Sequence, residues 1–420
     1  MPIDERISVD FDHHSLEWLA RRHEHNAELR ATCPVVWNPR YGGFWFVTGY
    51  EEVATVARDS VTFTPRYPVK RIEGDDLNYI GIMGVPRPKG MPQIGIAEAE
   101  PNRHAALRRL LNPFMLPPAV AAFRPFVEQT ATWFLDQKIA EGAMDLVLDF
   151  TNPVPAILTM KMIGLPCTSW QHYAEFFHAT VAYGTTSPEY QHAMSIMPDI
   201  VGELIDVAEH RRKKPEDDIL SKLVTLEVDG ERLDNDELIA VLWNLIGGGV
   251  DTTTSLTSLA LHHLEAHPDL RQRLIEHPEL LVPACEEYLR WTSVNETLTV
   301  TCTKDTVLGG QRITRGDVVM MSWLGANFDP AVFDQPEELL IDRNPNPHLA
   351  FGVGAYRCPG LHVARALFMV MMQEVLSRMG DYVVDQENTR FYQGNPELFG
   401  MVRMPVRFTP GQPVGVARPF

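Results

Sequence analysis

Residues His348–Phe368 read HLAFGVGAYRCPGLHVARALF, and the cysteine in this stretch decides how the chain is to be understood. Gly354 and Gly360 allow tight turns and unobstructed approach, and Pro359-Gly360 follow the cysteine at once. Proline favours the first position of a helix, and the apolar run after Gly360 has helical spacing. Cys358 is thus expected at a helix N-terminus, where free N–H groups and the helix dipole favour a thiolate. A thiolate so placed suits a nucleophile, a redox sensor or a soft metal ligand. A nucleophile requires a histidine base, for which His348 and His362 are the candidates.

Upstream, Leu238–His267 reads LIAVLWNLIGGGVDTTTSLTSLALHHLEAH. Asp234 with Glu237 three residues on forms a helix-start signature, and Pro268 supplies a stop. The helix between them spans about 30 residues, roughly 45 Å at 1.5 Å per residue. Its middle holds Gly247, Gly248 and Gly249, then Asp251, Thr252 and two more threonines. Each glycine costs about 1 kcal/mol against alanine inside a helix, so three together imply either a packing crossover between helices or the approach of something large and flat to the backbone. Threonine hydroxyls can bond back one turn and loosen the helix. A buried acid beside a hydroxyl suits proton delivery. Between the two stretches, CEEYLRW places Glu287 and Arg290 three apart on one helix face.

The remaining chain limits the choices. It has 420 residues, 45% hydrophobic, with formal net charge −18. That charge argues against a nucleic-acid partner, which needs a basic face. Five scattered cysteines without CxxC spacing suggest neither a disulfide framework nor structural zinc, and a reducing compartment fits. The N-terminal MPIDERISVDFDHH lacks the features of a signal peptide, and no apolar run reaches about 18 residues, so cytoplasmic localisation without stable membrane insertion is expected. VVWNPRYGGFWFVTGY reads as a hairpin, Arg66 to Glu100 as a long irregular segment, and residues 101–278 as mostly helical. Short strands return in LTVTCTKDTVLGGQRI and FGMVRMPVRF. No alternation of a doubly wound sheet appears.

Taken in order, these stretches resemble the cytochrome P-450 family of haem-thiolate monooxygenases, in its soluble bacterial form. FGVGAYRCPG resembles the cysteine-ligand loop, with Phe351, Gly352, Gly354, Cys358 and Gly360 matching; GGVDTT, Gly248–Thr253, resembles the oxygen-activation motif. Glu287 and Arg290 resemble the buried Glu/Arg pair, which Arg343 joins, and NRHAALRRLL resembles the haem-propionate helix through His104 and Arg108. Two positions depart from the pattern. Tyr356 stands where many members carry His or Arg, and Val300 where soluble members often carry Arg.

The resemblance implies a mainly α fold: one helix-rich, triangular domain over residues 1–420, with small β-sheets and a long central helix over the haem. It implies haem b with the Cys358 thiolate as axial ligand and electron donor. His104, Arg108 and Tyr356 would face the propionates, Phe351 and Gly352 the sulfur side, and Gly248 and Gly249 the porphyrin. Thr252 would hydrogen-bond the activated oxygen and Asp251 would relay protons from solvent. Glu287, Arg290 and Arg343 would hold the cysteine loop.

Electrons would come from an external ferredoxin and its reductase, docked through Arg357, Arg365 or Arg103. The substrate would be a hydrophobic small molecule such as a fatty acid, terpenoid, steroid or polyketide. It would be lined by segments 78–98, 176–190, 245–249, 293–300 and 396–401, with Glu296 facing solvent. A peroxide-driven peroxygenase, a haem-binding gas or ligand sensor, and more distantly a cysteine hydrolase are the alternatives.

Overall fold

The computed structural model describes residues 6–68, 75–87, 91, 93–394 and 396–420. The first five residues and parts of the irregular segment, 69–74, 88–90 and 92, lie outside them, as does residue 395.

Five strands make one sheet: β1 (Val35–Asn38), β2 (Phe44–Val47), β3 (Phe63–Thr64), β4 (Thr297–Cys302) and β5 (Val318–Ser322). Their spatial order is β1-β2-β5-β4-β3. β1 and β2 form the expected antiparallel hairpin, with Val35 opposite Val47 and Asn38 opposite Phe44. Its turn uses Gly42 and Gly43 at φ near +91° and +93°, and a Cβ on Gly43 would collide with the Trp37 ring. β2 reads FWFV, buried throughout, as suits a strand covered on both faces. β5 runs parallel to β2 and antiparallel to β4.

The helices that frame the site are α1 (Pro101–Met115), α2 (Pro117–Asp136), α3 (Pro153–Ile163), α4 (Trp170–Ala182), α5 (Pro188–Lys213), α6 (Asn235–Ala266), α7 (Leu281–Thr292) and α8 (Leu361–Arg378); shorter helices and four small sheets complete the described residues. α6 is the long central helix, 32 residues, begun by the full capping box. Glu237 N–H donates to Asp234 Oδ1 at 2.9 Å and Asp234 N–H to Glu237 Oε2 at 3.1 Å. The next helix starts with Pro268. α6 packs against α3, α4, α7 and α8, and one apolar core runs through Ile157, Phe176, Ile246, Leu256, Phe368 and Met371. Three hydroxyls on α6 bond back one turn: Thr252 to Gly248 O, Thr254 to Val250 O and Thr257 to Thr253 O. Among the described residues no helix is long and apolar enough to cross a membrane.

Candidate functional site

Cys358 stands just before α8, and its N–H donates to Phe351 O at 2.9 Å, closing the loop. Gly352 and Gly354 have φ of +66° and +82°, and a Cβ on Gly354 would come within 2.6 Å of Ala57 O. These two glycines are therefore required by the turn and by its seat against the helix Tyr50–Arg58 that precedes β3. The Arg365 guanidinium lies 4.8 Å over the Phe351 ring.

The thiol departs from expectation. Burial pushes its pKa up, and the Gly360 N–H and the charges of Arg108, Arg357 and Arg365 only partly offset it. A helix start therefore does not ionise this half-buried sulfur unaided; coordination to a cation does so outright.

Beneath the loop lies a closed ionic network. Glu287 and Arg290 are fully buried and bidentate, with Arg290 Nη2 to Glu287 Oε1 at 2.7 Å and Nε to Oε2 at 2.9 Å. Arg343 Nε reaches both Glu287 oxygens at 3.1 Å, although it lies 56 residues away in sequence. Leu340 N–H and Asn346 Nδ2 complete the shell at 3.0 Å each. Asn327 ties this network to the loop, accepting from Leu349 N–H at 2.7 Å.

Sequence reasoning missed the neighbouring acid, Glu286. It holds Arg365 of α8 by two 2.6 Å bonds and His348 at 3.1 Å. Burial works against its charge, but Arg365 and His348 prevail and hold its carboxyl at about 2. Arg365 is thus committed internally, and Arg103 pairs with Glu237 at 2.9 Å, so neither is a free docking cation; Arg357 is exposed.

Of the three central glycines, only Gly248 has no atom within 4 Å of an added Cβ. The expectation for Gly249 is corrected: its Cβ would lie 2.5 Å from Thr159 Oγ1, so this glycine serves the crossing of α6 with α3. Gly247 faces Phe177 at 3.2 Å.

Asp251 is buried at 1% exposure. His178 Nδ1 lies 2.7 Å from its Oδ1, and Tyr392 Oη donates to the same oxygen at 3.1 Å. Both partners escaped sequence reasoning. His178 is a lone histidine in an apolar run, 73 residues from Asp251, and Tyr392 is 141 residues away.

Near the cysteine loop, His104 stacks on Tyr356 with ring centroids 4.0 Å apart. Burial, then Arg108, pushes His104 down to about 4, leaving a neutral ring. Tyr356 Oη reaches Ala99 O at 3.5 Å, and burial raises its pKa to about 12, so it stays a donor. Arg108 Nη1 donates to Arg357 O at 2.8 Å. Val300 is core, opposite Val319 in the sheet.

The structure gathers the described parts of the five apolar segments. Thr299 Oγ1 donates to Gly81 O at 2.8 Å, Phe399 N–H to Val294 O at 2.8 Å and Ala97 N–H to Asn244 Oδ1, just before the third segment, at 3.3 Å, while Phe177 lies 3.2 Å from where a Cβ on Gly247 would stand. Residues 88–90 and 92 of the first segment lie outside the described residues. Glu296 does not face solvent. It is buried, 2.6 Å from Arg22 Nε, and burial outweighs that partner and raises its pKa to about 7.

A porphyrin needs an open helix face, one soft anionic donor and cations or donors for its carboxylates. Gly248 gives the open face, Cys358 the sulfur, and Arg108, His104 and Tyr356 the polar groups, so the residues fit that cofactor.

Comparison with known proteins agrees. The Cytochrome P450 family model matches residues 159–405. A steroid C26-monooxygenase of Mycolicibacterium smegmatis is 31% identical over 333 residues, 78% of this chain and 82% of that protein. Nocardicin C N-oxygenase of Nocardia uniformis is 32% identical over 365 residues, 85% and 87% of the two chains. The structure of Mycobacterium marinum cytochrome P450 CYP268A2 in complex with pseudoionone superposes with TM-score 0.84 at 27% identity, covering 97% of this chain and 99% of that one. On the site's geometry and these matches, the chain belongs to the cytochrome P450 family.

Proposed function

We propose that this cytochrome P450 monooxygenase inserts one oxygen atom from O2 into a bulky apolar molecule of steroid, terpenoid or fatty-acid type. In this reading it works in the cytoplasm as one functional unit, with electrons from a separate ferredoxin and reductase. Cys358 would hold the haem iron through its thiolate. The observation that carries the reading is the open face at Gly248, beside Thr252, on the helix that two of the apolar segments meet, through Ala97 N–H on Asn244 and Phe177 against Gly247. The steroid and pseudoionone in the names of the relatives support a large apolar substrate.

The haem, when bound, supplies the oxygen-activating chemistry, and the thiolate donates electron density to it. The chain's own residues orient and protonate. Gly360 N–H bonds to the sulfur and tempers its donation. His104, Arg108 and Tyr356 hold the carboxylate edge. Thr252 Oγ1, which donates to Gly248 O at 2.8 Å, turns to pass a proton at the open helix face. Asp251 stores the proton behind it. Glu287, Arg290 and Arg343 keep the cysteine loop in place. Exposed Arg357, next to the axial sulfur, is the docking cation for an acidic ferredoxin. The Asp251–Thr252 pair favours O2 over peroxide as oxidant.

Two measurements test this. The reduced, carbon monoxide-bound spectrum must report thiolate ligation, and Cys358→Ala must abolish it. Thr252→Ala is expected to raise peroxide release per reductant consumed several-fold. Unchanged coupling in that variant removes Thr252 from the mechanism.

A further inference from the structure

His178 has an acceptor at each ring nitrogen. Nδ1 lies 2.7 Å from Asp251 Oδ1, and Nε2 lies 3.0 Å from the Val402 carbonyl. A carbonyl oxygen only accepts, so Nε2 carries a hydrogen. A second proton must then sit between Nδ1 and Oδ1. The pair therefore holds one proton more than a neutral imidazole beside a carboxylate. Burial opposes a charged ring, but the charge and hydrogen bond of Asp251 and the Val402 carbonyl outweigh it, and His178 stays protonated above the ordinary imidazole range. Asp251 Oδ2 is buried without a hydrogen-bond partner among the described residues, so one oxygen of the acid is left for a further donor.

The same ring is reached from outside. A surface cleft of about 540 Å³ runs between α4 and α5, with Trp170, Ala174 and Ala193 in its walls and His178 lining it. Glu175 and His192, exposed and 3.7 Å apart, stand on its rim. Solvent thus approaches His178 on a face that the apolar segments do not occupy.

We propose that His178 is a positioning residue that keeps a proton beside Asp251, and that the α4–α5 cleft is where this proton is replaced. The proposal rests on the oxygenase reading above. The one proton held between Nδ1 and Oδ1 passes through Asp251 toward Thr252, leaving a carboxylate beside a neutral ring with Nε2–H on Val402. A buffer acid or hydronium in the cleft then returns one proton to the pair, and its conjugate base returns to solvent. The other ionisable groups around the ring are Tyr392, Asp145 with its partner Arg403 at 3.4 Å, and Tyr183, Glu189, Glu175 and His192 along the cleft.

The test uses the haem-loaded enzyme with a surrogate ferredoxin–reductase pair. It reads peroxide released per reductant consumed and the dependence of rate on D2O fraction. His178→Gln keeps a hydrogen bond to Asp251 but cannot hold the extra proton. It is expected to raise peroxide release several-fold and to steepen the D2O dependence. Glu175→Trp, which plugs the rim, is expected to do the same at low buffer and to recover at high buffer.

In the diamagnetic ferrous carbon monoxide form, 15N spectra of the unmutated protein should show His178 with protons on both Nδ1 and Nε2 through pH 7. An Nδ1 that has lost its proton below pH 7 overturns the proposal, and this readout holds even if a variant fails to fold. If Asp251→Asn uncouples while His178→Gln matches the unmutated enzyme, the His178 role falls and the oxygenase reading stands. If Glu175→Trp changes nothing at any buffer concentration, the cleft route falls. If neither Asp251→Asn nor Thr252→Ala uncouples, the reading beneath the proposal fails instead.

Discussion

Replacing Glu287 with alanine removes the acceptor of six hydrogen bonds: two each from Arg290 and Arg343, one from Leu340 N–H and one from Asn346. Two guanidiniums then share a buried site without a counter-charge. Each keeps three carbonyl partners: Asn327, Pro336 and Glu338 for Arg290, and Asp334, Gln335 and Glu338 for Arg343. Breaking a buried pair from one side costs about 3–5 kcal/mol, and the surviving carbonyl bonds put the expected loss near the lower end. Against a typical stability of about 5–15 kcal/mol that is a large share, more than a hundredfold in the folded-to-unfolded ratio. Asn327 links the network to Leu349, so the damage should reach the cysteine loop. Guanidinium unfolding together with haem content per chain measures it. We expect a lowered midpoint and less than half the normal haem, with turnover per bound haem within about twofold, since no reacting group is touched. A loss below about 1 kcal/mol with full haem content refutes the argument. Full stability with collapsed turnover would instead make Glu287 part of the chemistry.

Gly248→Ala and Gly249→Ala should diverge. The first adds a methyl to open space and, in the haem-free chain, gains up to about 1 kcal/mol of helix propensity. The second drives a Cβ to 2.5 Å from Thr159 Oγ1 and should cost about 1–3 kcal/mol, read as a fall in melting temperature. Equal effects would deny the α6–α3 crossing its role. Glu286 is held at about 2, well under its unfolded value, so its stabilising contribution is present above about pH 4. That contribution drains away as pH falls through about 2. The stability gap between the unmutated protein and Glu286→Gln should therefore close on acidification, and a gap constant from pH 5 to pH 2 would contradict the Arg365–His348 geometry.

Local chemistry made some of this molecule readable from sequence. The Asp234–Glu237 capping box, the Gly42-Gly43 turn, the proline after Cys358 and the three-residue spacing of Glu287 and Arg290 are decided within a few residues of chain. What stayed hidden depends on distant partners. Glu296 is buried because Arg22 and Phe399 close over it, with the Arg22 guanidinium 3.5 Å from the Phe399 ring centroid. Gly248 and Gly249 look alike in sequence, and only the seat of α3 tells them apart. His178 meets Asp251 through a helix pairing that no spacing rule encodes. The helix start beside Cys358 is local and readable, whereas the desolvation that opposes ionisation of its free thiol depends on distant packing and is not.

The position of β5 has a consequence for how the chain is made. β2, a run of four buried apolar residues, pairs on one side with β1 and on the other with β5. Its second edge therefore stays unpaired until residues 319–321 have been synthesised, some 270 positions later. An open, greasy strand edge on a nascent polypeptide invites wrong partners. During translation this amino-terminal hairpin is the segment most in need of a chaperone's cover, and slowing the ribosome between the two strands should lower the yield of soluble protein.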